Sequence, residues 1–328
     1  MNIEIRQFAV VCLCLLVGGA WSSGPDYGSN AKIRCDGTSF YKQTKITYPS
    51  QRNDCSYTFK AHSWFVCQLR VDFDLSLAGP SMRNGQSYYE CNDDYLEIGG
   101  RRYCGNDKQQ HVYLPFNRTA GQKEVVLRVV LADRSANRGL DAAIYQIKVT
   151  QLECSLGSPL RSLPLVANVV NSIKPRTFFN DGFWIAPVGC LQYFPETEGV
   201  IESFNYNDGT GIYPGNRDYA ICFRRNAATQ RLQLSVDHFQ LPPNAERQFD
   251  DVCRSQILTE GTVDDYLSIP GAEISGTGIR ASLFCGTIST GTVINAKSFG
   301  PIVLGFHSDN RNVEGMLRNG FRLRYKLL

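Results

Sequence analysis

Two stretches of the sequence share residue types in the same order, and they hold its most reactive groups. The first runs Cys91-Asn92-Asp93-Asp94-Tyr95-Leu96-Glu97-Ile98 and on to Tyr103-Cys104-Gly105. The second runs Asp264-Asp265-Tyr266-Leu267-Ser268-Ile269 between Cys253 and Phe284-Cys285-Gly286. Thiols in such a frame can cross-link by oxidation, and aspartates beside turns can cap loops by accepting backbone N–H groups. Catalytic chemistry is poorly supplied. His62, His111, His238 and His307 belong to no His-Glu-x-x-His motif, and Gly-x-Ser-x-Gly is absent. No close cysteine pair of the mature chain has zinc spacing. His238 beside Asp237 reads as a strand-edge residue rather than half of a dyad. The expectation is a protein that is not an enzyme.

The elements that must carry these groups read as strands. Leu69, Val71, Phe73 and Leu75 alternate with Gln68, Arg70, Asp72 and Asp74, the period of a strand with one buried face. Tyr145, Ile147 and Val149 alternate in the same way, as do Phe321, Leu323, Tyr325 and Leu327. Segments 123–131 and 300–306 are more continuously apolar, as inside a sandwich. Turn clusters such as Ala78-Gly79-Pro80 and Asn207-Asp208-Gly209 punctuate them. Gln68-Leu69-Arg70-Val71-Asp72-Phe73 also matches Gln233-Leu234-Ser235-Val236-Asp237, so one domain is built twice. The fold class expected is all-β, with two consecutive disulfide-stapled sandwiches.

Length and composition fit this. The chain has 328 residues, 43% of them hydrophobic, enough for about two domains with buried cores. A formal charge of +3 without long single-sign runs argues against a nucleic-acid surface. Residues 1–20 read as a signal peptide: Arg6 precedes the apolar run Phe8–Val17, and Gly18, Gly19 and Ala20 offer a cleavage site. No membrane anchor is expected, and the product is expected to be secreted and extracellular. Of the 12 cysteines, Cys12 and Cys14 leave with the leader, and an even set remains for disulfides. The first domain is placed at 30–154, a Pro-rich linker at 155–187 and the second domain at 188–328. The linker's Phe178, Phe179, Phe183 and Trp184 are apolar enough to pack against a domain.

The two copies resemble the CUB domain, an extracellular jelly-roll sandwich. The resemblance rests on a cysteine before a strand (Cys35, Cys190), a second opening a strand (Cys55, Cys222), and an alternating strand ending in Phe73 or Phe239. The Asp-Tyr-Leu-x-Ile signature, the Cys-Gly pair, the late Asp133 and Asp309, and the closing Gly139-Leu140 and Gly320-Phe321 complete it. Within the family the chain looks most like the tandem-CUB secreted proteins of arthropods. The family pattern implies Cys35–Cys55, Cys91–Cys104, Cys190–Cys222 and Cys253–Cys285, leaving Cys67 for Cys154. A rival pairs Cys55 with Cys67 and Cys35 with Cys154.

Many CUB domains hold calcium with two such aspartates and a glutamate. The resemblance implies Asp94 with Asp133, and Asp265 with Asp309, as ligands. The glutamate has no match here: Leu75-Ser76 and Leu241-Pro242 stand in its neighbourhood. Weak or absent calcium binding is therefore expected, with no cofactor required, and loop capping by the aspartates is the competing reading. Asn117-Arg118-Thr119 is a glycosylation sequon. Tyr88, Tyr89, Tyr95 and Tyr103 cluster around the first signature as a candidate partner-contact patch. The function expected is binding of other extracellular proteins. The alternatives are a glycan- or lipid-binding module, or an accessory acting in trans with an extracellular protease.

Overall fold

The computed structural model describes residues 31–47, 53–117, 121–137, 139–154, 180–227, 229–242, 248–253, 265–297, 300–311 and 317–328. Residues 1–20, expected as a signal peptide, most of the segment 155–187 expected as a linker, and Asp264 lie outside them. Ten strands come from residues up to 153: β1 (Ala31–Lys32), β2 (Thr38–Ser39), β3 (Gln43–Thr47), β4 (Asp54–Lys60), β5 (Val66–Ser76), β6 (Tyr95–Ile98), β7 (Arg101–Tyr103), β8 (Asn106–Pro115), β9 (Glu124–Val130) and β10 (Ile144–Glu153). They form two five-stranded sheets, β1-β3-β10-β5-β8 and β2-β4-β9-β6-β7. The alternating apolar sets of β5, β10, β4 and β9 face one another as the core of a sandwich. Tyr57 of one sheet and Tyr145 of the other meet in that core, their hydroxyls 3.2 Å apart, so each buried O–H has a partner.

The second ten strands are β11 (Cys190–Phe194), β12 (Glu198–Glu202), β13 (Arg217–Phe223), β14 (Arg231–Leu241), β15 (Gln248–Phe249), β16 (Tyr266–Ile274), β17 (Arg280–Thr287), β18 (Val293–Lys297), β19 (Ile302–Ser308) and β20 (Gly320–Leu327). Their pairing repeats that of the first half. The order β2-β4-β9-β6-β7 returns as β11-β13-β19-β16-β17, and β3-β10-β5-β8 as β12-β20-β14-β18. Even the parallel pairs correspond, β2 with β4 and β11 with β13. The difference lies at one edge. There β16 bends to pair with β18 and β14 reaches β17, joining the second set into one continuous sheet. Among the described residues there is no α-helix, and no helix is long and apolar enough to cross a membrane.

Five disulfides close the frame: Cys35–Cys55, Cys67–Cys154, Cys91–Cys104, Cys190–Cys222 and Cys253–Cys285. Cys67 thus ties the start of β5 to the end of β10, and the rival Cys55–Cys67 bridge does not form.

The two halves touch directly. A chain of rings runs through their junction: Tyr103 meets Phe204 at 4.9 Å, Phe204 meets Tyr219 at 5.3 Å, and Tyr219 meets Phe306 at 5.1 Å. Around it, the Asp107 carboxylate accepts the Asn205 N–H at 2.6 Å, and Gln192 donates to Gln110 at 2.8 Å. Gly105 makes this approach possible. Its φ is +87°, and a Cβ there would lie 2.1 Å from the Asn205 Oδ1. The described end of the linker packs on the first half. Gln68 exchanges two hydrogen bonds with the Ala186 backbone, and Arg70 lies over the Trp184 ring at 4.9 Å.

Candidate functional site

The signature aspartates sit at matched corners, each just before the strand that follows it. Asp94 precedes β6, and its side chain is wholly buried. Its two oxygens accept the Ala78 N–H at 2.8 Å and the Ala132 N–H at 2.9 Å, tying the loops after β5 and β9 together. Arg134 completes the site. One of its terminal nitrogens donates to Asp94 Oδ1 at 2.5 Å and the other to Oδ2, a bidentate fork. Burial alone pushes the Asp94 carboxyl upward. The Arg134 hydrogen bonds and the two backbone donors outweigh it, so the group is held below its ordinary value.

The second corner reaches a similar end by another route. Asp265 is also wholly buried. It accepts the Tyr213 hydroxyl at 2.5 Å and the Asp309 N–H at 2.8 Å. Arg318, its side chain 1% exposed, stands 3.4 Å from Asp265 and 3.0 Å from Asp309. This contact is longer and one-sided. Burial therefore prevails over the Arg318 charge, and Asp265 is pushed up to about 6. Burial and the neighbouring Asp265 raise Tyr213 as well.

The register corrects one correspondence expected from the sequence. Tyr95 pairs with Val130, and Tyr266 with His307. Asp309 therefore matches Ala132, not Asp133. Asp133 is exposed and accepts the Ser135 N–H at 2.8 Å and its hydroxyl at 2.7 Å, which caps a turn. Asp309 caps Arg311 in the same way at 3.0 Å. The two pairs expected to hold calcium thus do not make equivalent sites. In the first, the guanidinium already holds both Asp94 oxygens. In the second, it bridges the two carboxylates. Among the described residues no three His, Cys, Asp or Glu side chains are grouped to hold a metal ion. Among the described residues an internal cation faces each corner aspartate, Arg134 at Asp94 and Arg318 at Asp265.

The four tyrosines do not form an outward patch. Tyr103 is buried in the junction and Tyr95 beside it, under the Arg102 guanidinium at 4.3 Å. Tyr88 and Tyr89 lie against the second half, where the Tyr89 carbonyl accepts the Gly215 N–H at 2.9 Å. The physical reason differs between them: the second half covers Tyr103, while Tyr95 points to the other face of its sheet and packs with Cys91 and Cys104. Asn117 is exposed, while Arg118 and Thr119 fall outside the described residues.

The histidines serve structure in the contacts they make. His111 is buried with Nε2 3.0 Å from the Tyr193 carbonyl, and burial pushes it down to about 3. Asp237 engages Arg324 at 2.9 Å and Arg322 at 3.7 Å. His238 instead lies against the Tyr206 ring. His307 pairs with Asp218 at 2.6 Å on the surface.

The animal CUB domain model matches residues 187–328. The second half is a CUB domain. Its match begins just before Cys190 and takes in the Asp265 corner, Arg318 and both of its disulfides. Over longer spans the chain is similar to the CUB1-EGF-CUB2 domains of rat MASP-1. Identity is 12%, with 90% of this chain and 99% of that one covered and a TM-score of 0.26. The corresponding CUB1-EGF-CUB2 structure of human MASP-1/3 shares 14% identity, with 88% and 100% covered and a TM-score of 0.26. No curated protein matches the sequence. A CUB domain is an extracellular interaction module, and five disulfides suit an oxidising compartment.

Arg134 and Arg318 are the residues sequence reading passed over. Arg134 directly follows Asp133, and a basic neighbour in that position was the available signal. Arg318 had none, since it reaches Asp265 only through the chain's return before β20.

Proposed function

We propose that the chain is a secreted, non-catalytic protein of the tandem type found in arthropods, binding other extracellular proteins through two CUB modules without calcium. The observation that carries this reading is the repeated pairing order. A first half that pairs its strands as the CUB domain does is best read as a second module. Calcium independence rests on Arg134 and Arg318, whose positive charges neutralise the corner aspartates from within. The non-catalytic reading rests on His111 held against a backbone carbonyl in the seam, and on Asp237 turned to arginines while His238 packs on the Tyr206 ring. Residues 1–20 serve as the export signal in this reading, and Asn117 carries a glycan.

The test is capture from extracellular fluid with the purified chain as bait, with and without EDTA. One defined protein partner, bound again when purified and equally well in both buffers, supports the reading. Retention of nothing, or of a partner lost in EDTA, rejects it.

A further inference from the structure

The junction leaves open one polar cleft of about 250 Å³ whose walls come from both halves. Asn106, Lys108 and Gln109 of β8 form one wall. Asn207 and Asp208 form the facing wall, and Phe194 with Val200 supplies the apolar part. We propose that this cleft binds a neutral saccharide, independently of the partner recognition argued above.

Three features lead there. The first is chemistry. The exposed Gln109 side-chain amide both donates and accepts, and so matches hydroxyls that do the same, while Lys108 adds a donor and Asp208 an acceptor. The Phe194 ring and Val200 offer apolar surface to the C–H groups of a sugar ring, and Val200 is 37% exposed. The second is charge. Of the four charged lining residues, Arg322 and Glu202 form an ion pair with each other. Lys108 and Asp208 are exposed on opposite walls, one of each sign, and neither joins an ion pair among the described residues. The lining is thus balanced, which favours a neutral ligand over a sulfated or sialylated one. The third is rigidity. Asn106 donates to Asn207 at 2.6 Å and to the Asn205 side chain at 2.9 Å through its N–H, locking wall to wall. Gln109, Asn207 and Asp208 all hold left-handed backbone, with φ of 56°, 45° and 53°. Non-glycine residues rarely adopt this conformation, and such residues gather where side chains must be aimed at a ligand. Cavities between modules are common ligand sites.

The probe is a printed array of neutral, sialylated and sulfated oligosaccharides, followed by calorimetry of the intact chain with any neutral oligosaccharide that binds. Lys108→Ala and Asp208→Gly are the variants. Glycine keeps the left-handed backbone at 208, and Lys108 is exposed, so both proteins should melt with the wild type. Saturable binding of a neutral oligosaccharide, weakened roughly tenfold by either variant, is expected. An empty array, hits confined to sulfated or sialylated glycans, or neutral binding that both variants leave intact would overturn the proposal.

Discussion

The Asp107 carboxylate on β8 accepts the backbone N–H of Asn205 at 2.6 Å, inside the seam that joins the two halves. Its other oxygen has no hydrogen-bond partner among the described residues, and burial, with Glu202 nearby, pushes the group up to about 7. The titratable groups around it are Glu202, Tyr103 and Tyr219. Because the folded value lies above the ordinary 3.8, the stabilising contribution is present at acid pH and is lost as the pH rises through 7. Asp107→Asn keeps an acceptor for Asn205 without a charge. It should be more stable than the wild type at pH 8, by at most a few kcal/mol. The advantage should shrink by pH 6. Thermal melts of both proteins across that range check this, and a constant difference would count against a titrating seam.

The seam also depends on Gly105. Adding a methyl group where a Cβ meets Asn205 at 2.1 Å, in a left-handed conformation, pushes the halves apart. Gly105→Ala should speed amide exchange at Asn205 and Asn106 while sparing the centres of β9 and β19. Exchange rates unchanged at the seam would show that the contact is not needed.

The Cys67–Cys154 bridge has no counterpart in the second half and closes a separation of 87 residues. Replacing both cysteines by serine should cost about 2–4 kcal/mol, mainly by freeing the unfolded chain. Denaturant unfolding gives the number, and a loss under about 1 kcal/mol would contradict the expectation.

Arg318→Met removes a buried cation from two carboxylates. Breaking such a pair costs about 3–5 kcal/mol when the remaining charge stays buried. Asp265, already pushed up to about 6, can escape by taking a proton. The deficit of the variant against the wild type should therefore narrow as the pH falls from 7.5 to 5. Urea midpoints at the two pH values decide it, and a deficit that widens on acidification would be wrong for this site.

The repeat was legible in the sequence because strand periodicity and Cys-Gly pairs are local signals. Leu69, Val71 and Phe73 alternate whatever they pack against, and the structure buries all three. The seam was not legible. Phe204, Asn205 and Asp107 have no distinctive spacing, and only tertiary contact reveals that Tyr103 is covered by the other half. The same holds for the corner sites. A sequence displays Asp94 and Asp265 as acidic residues, but cannot display that a guanidinium folds back onto each. Register was the subtler loss. Asp133 and Asp309 each follow an apolar run, but the pairing of Tyr95 with Val130 and of Tyr266 with His307 sets them one residue apart, and a shift of one residue in a strand exchanges its inward and outward faces.

The central claim is that arginine, not calcium, neutralises both corners. Its most direct measurement is a thermal melt of the intact chain in EDTA and in about 10 mM Ca²⁺, above the 10⁻⁴–10⁻³ M range of extracellular calcium modules. The account predicts the same midpoint in both buffers for the wild type. A midpoint raised by calcium in the wild type and no longer raised in Asp94→Asn would contradict it.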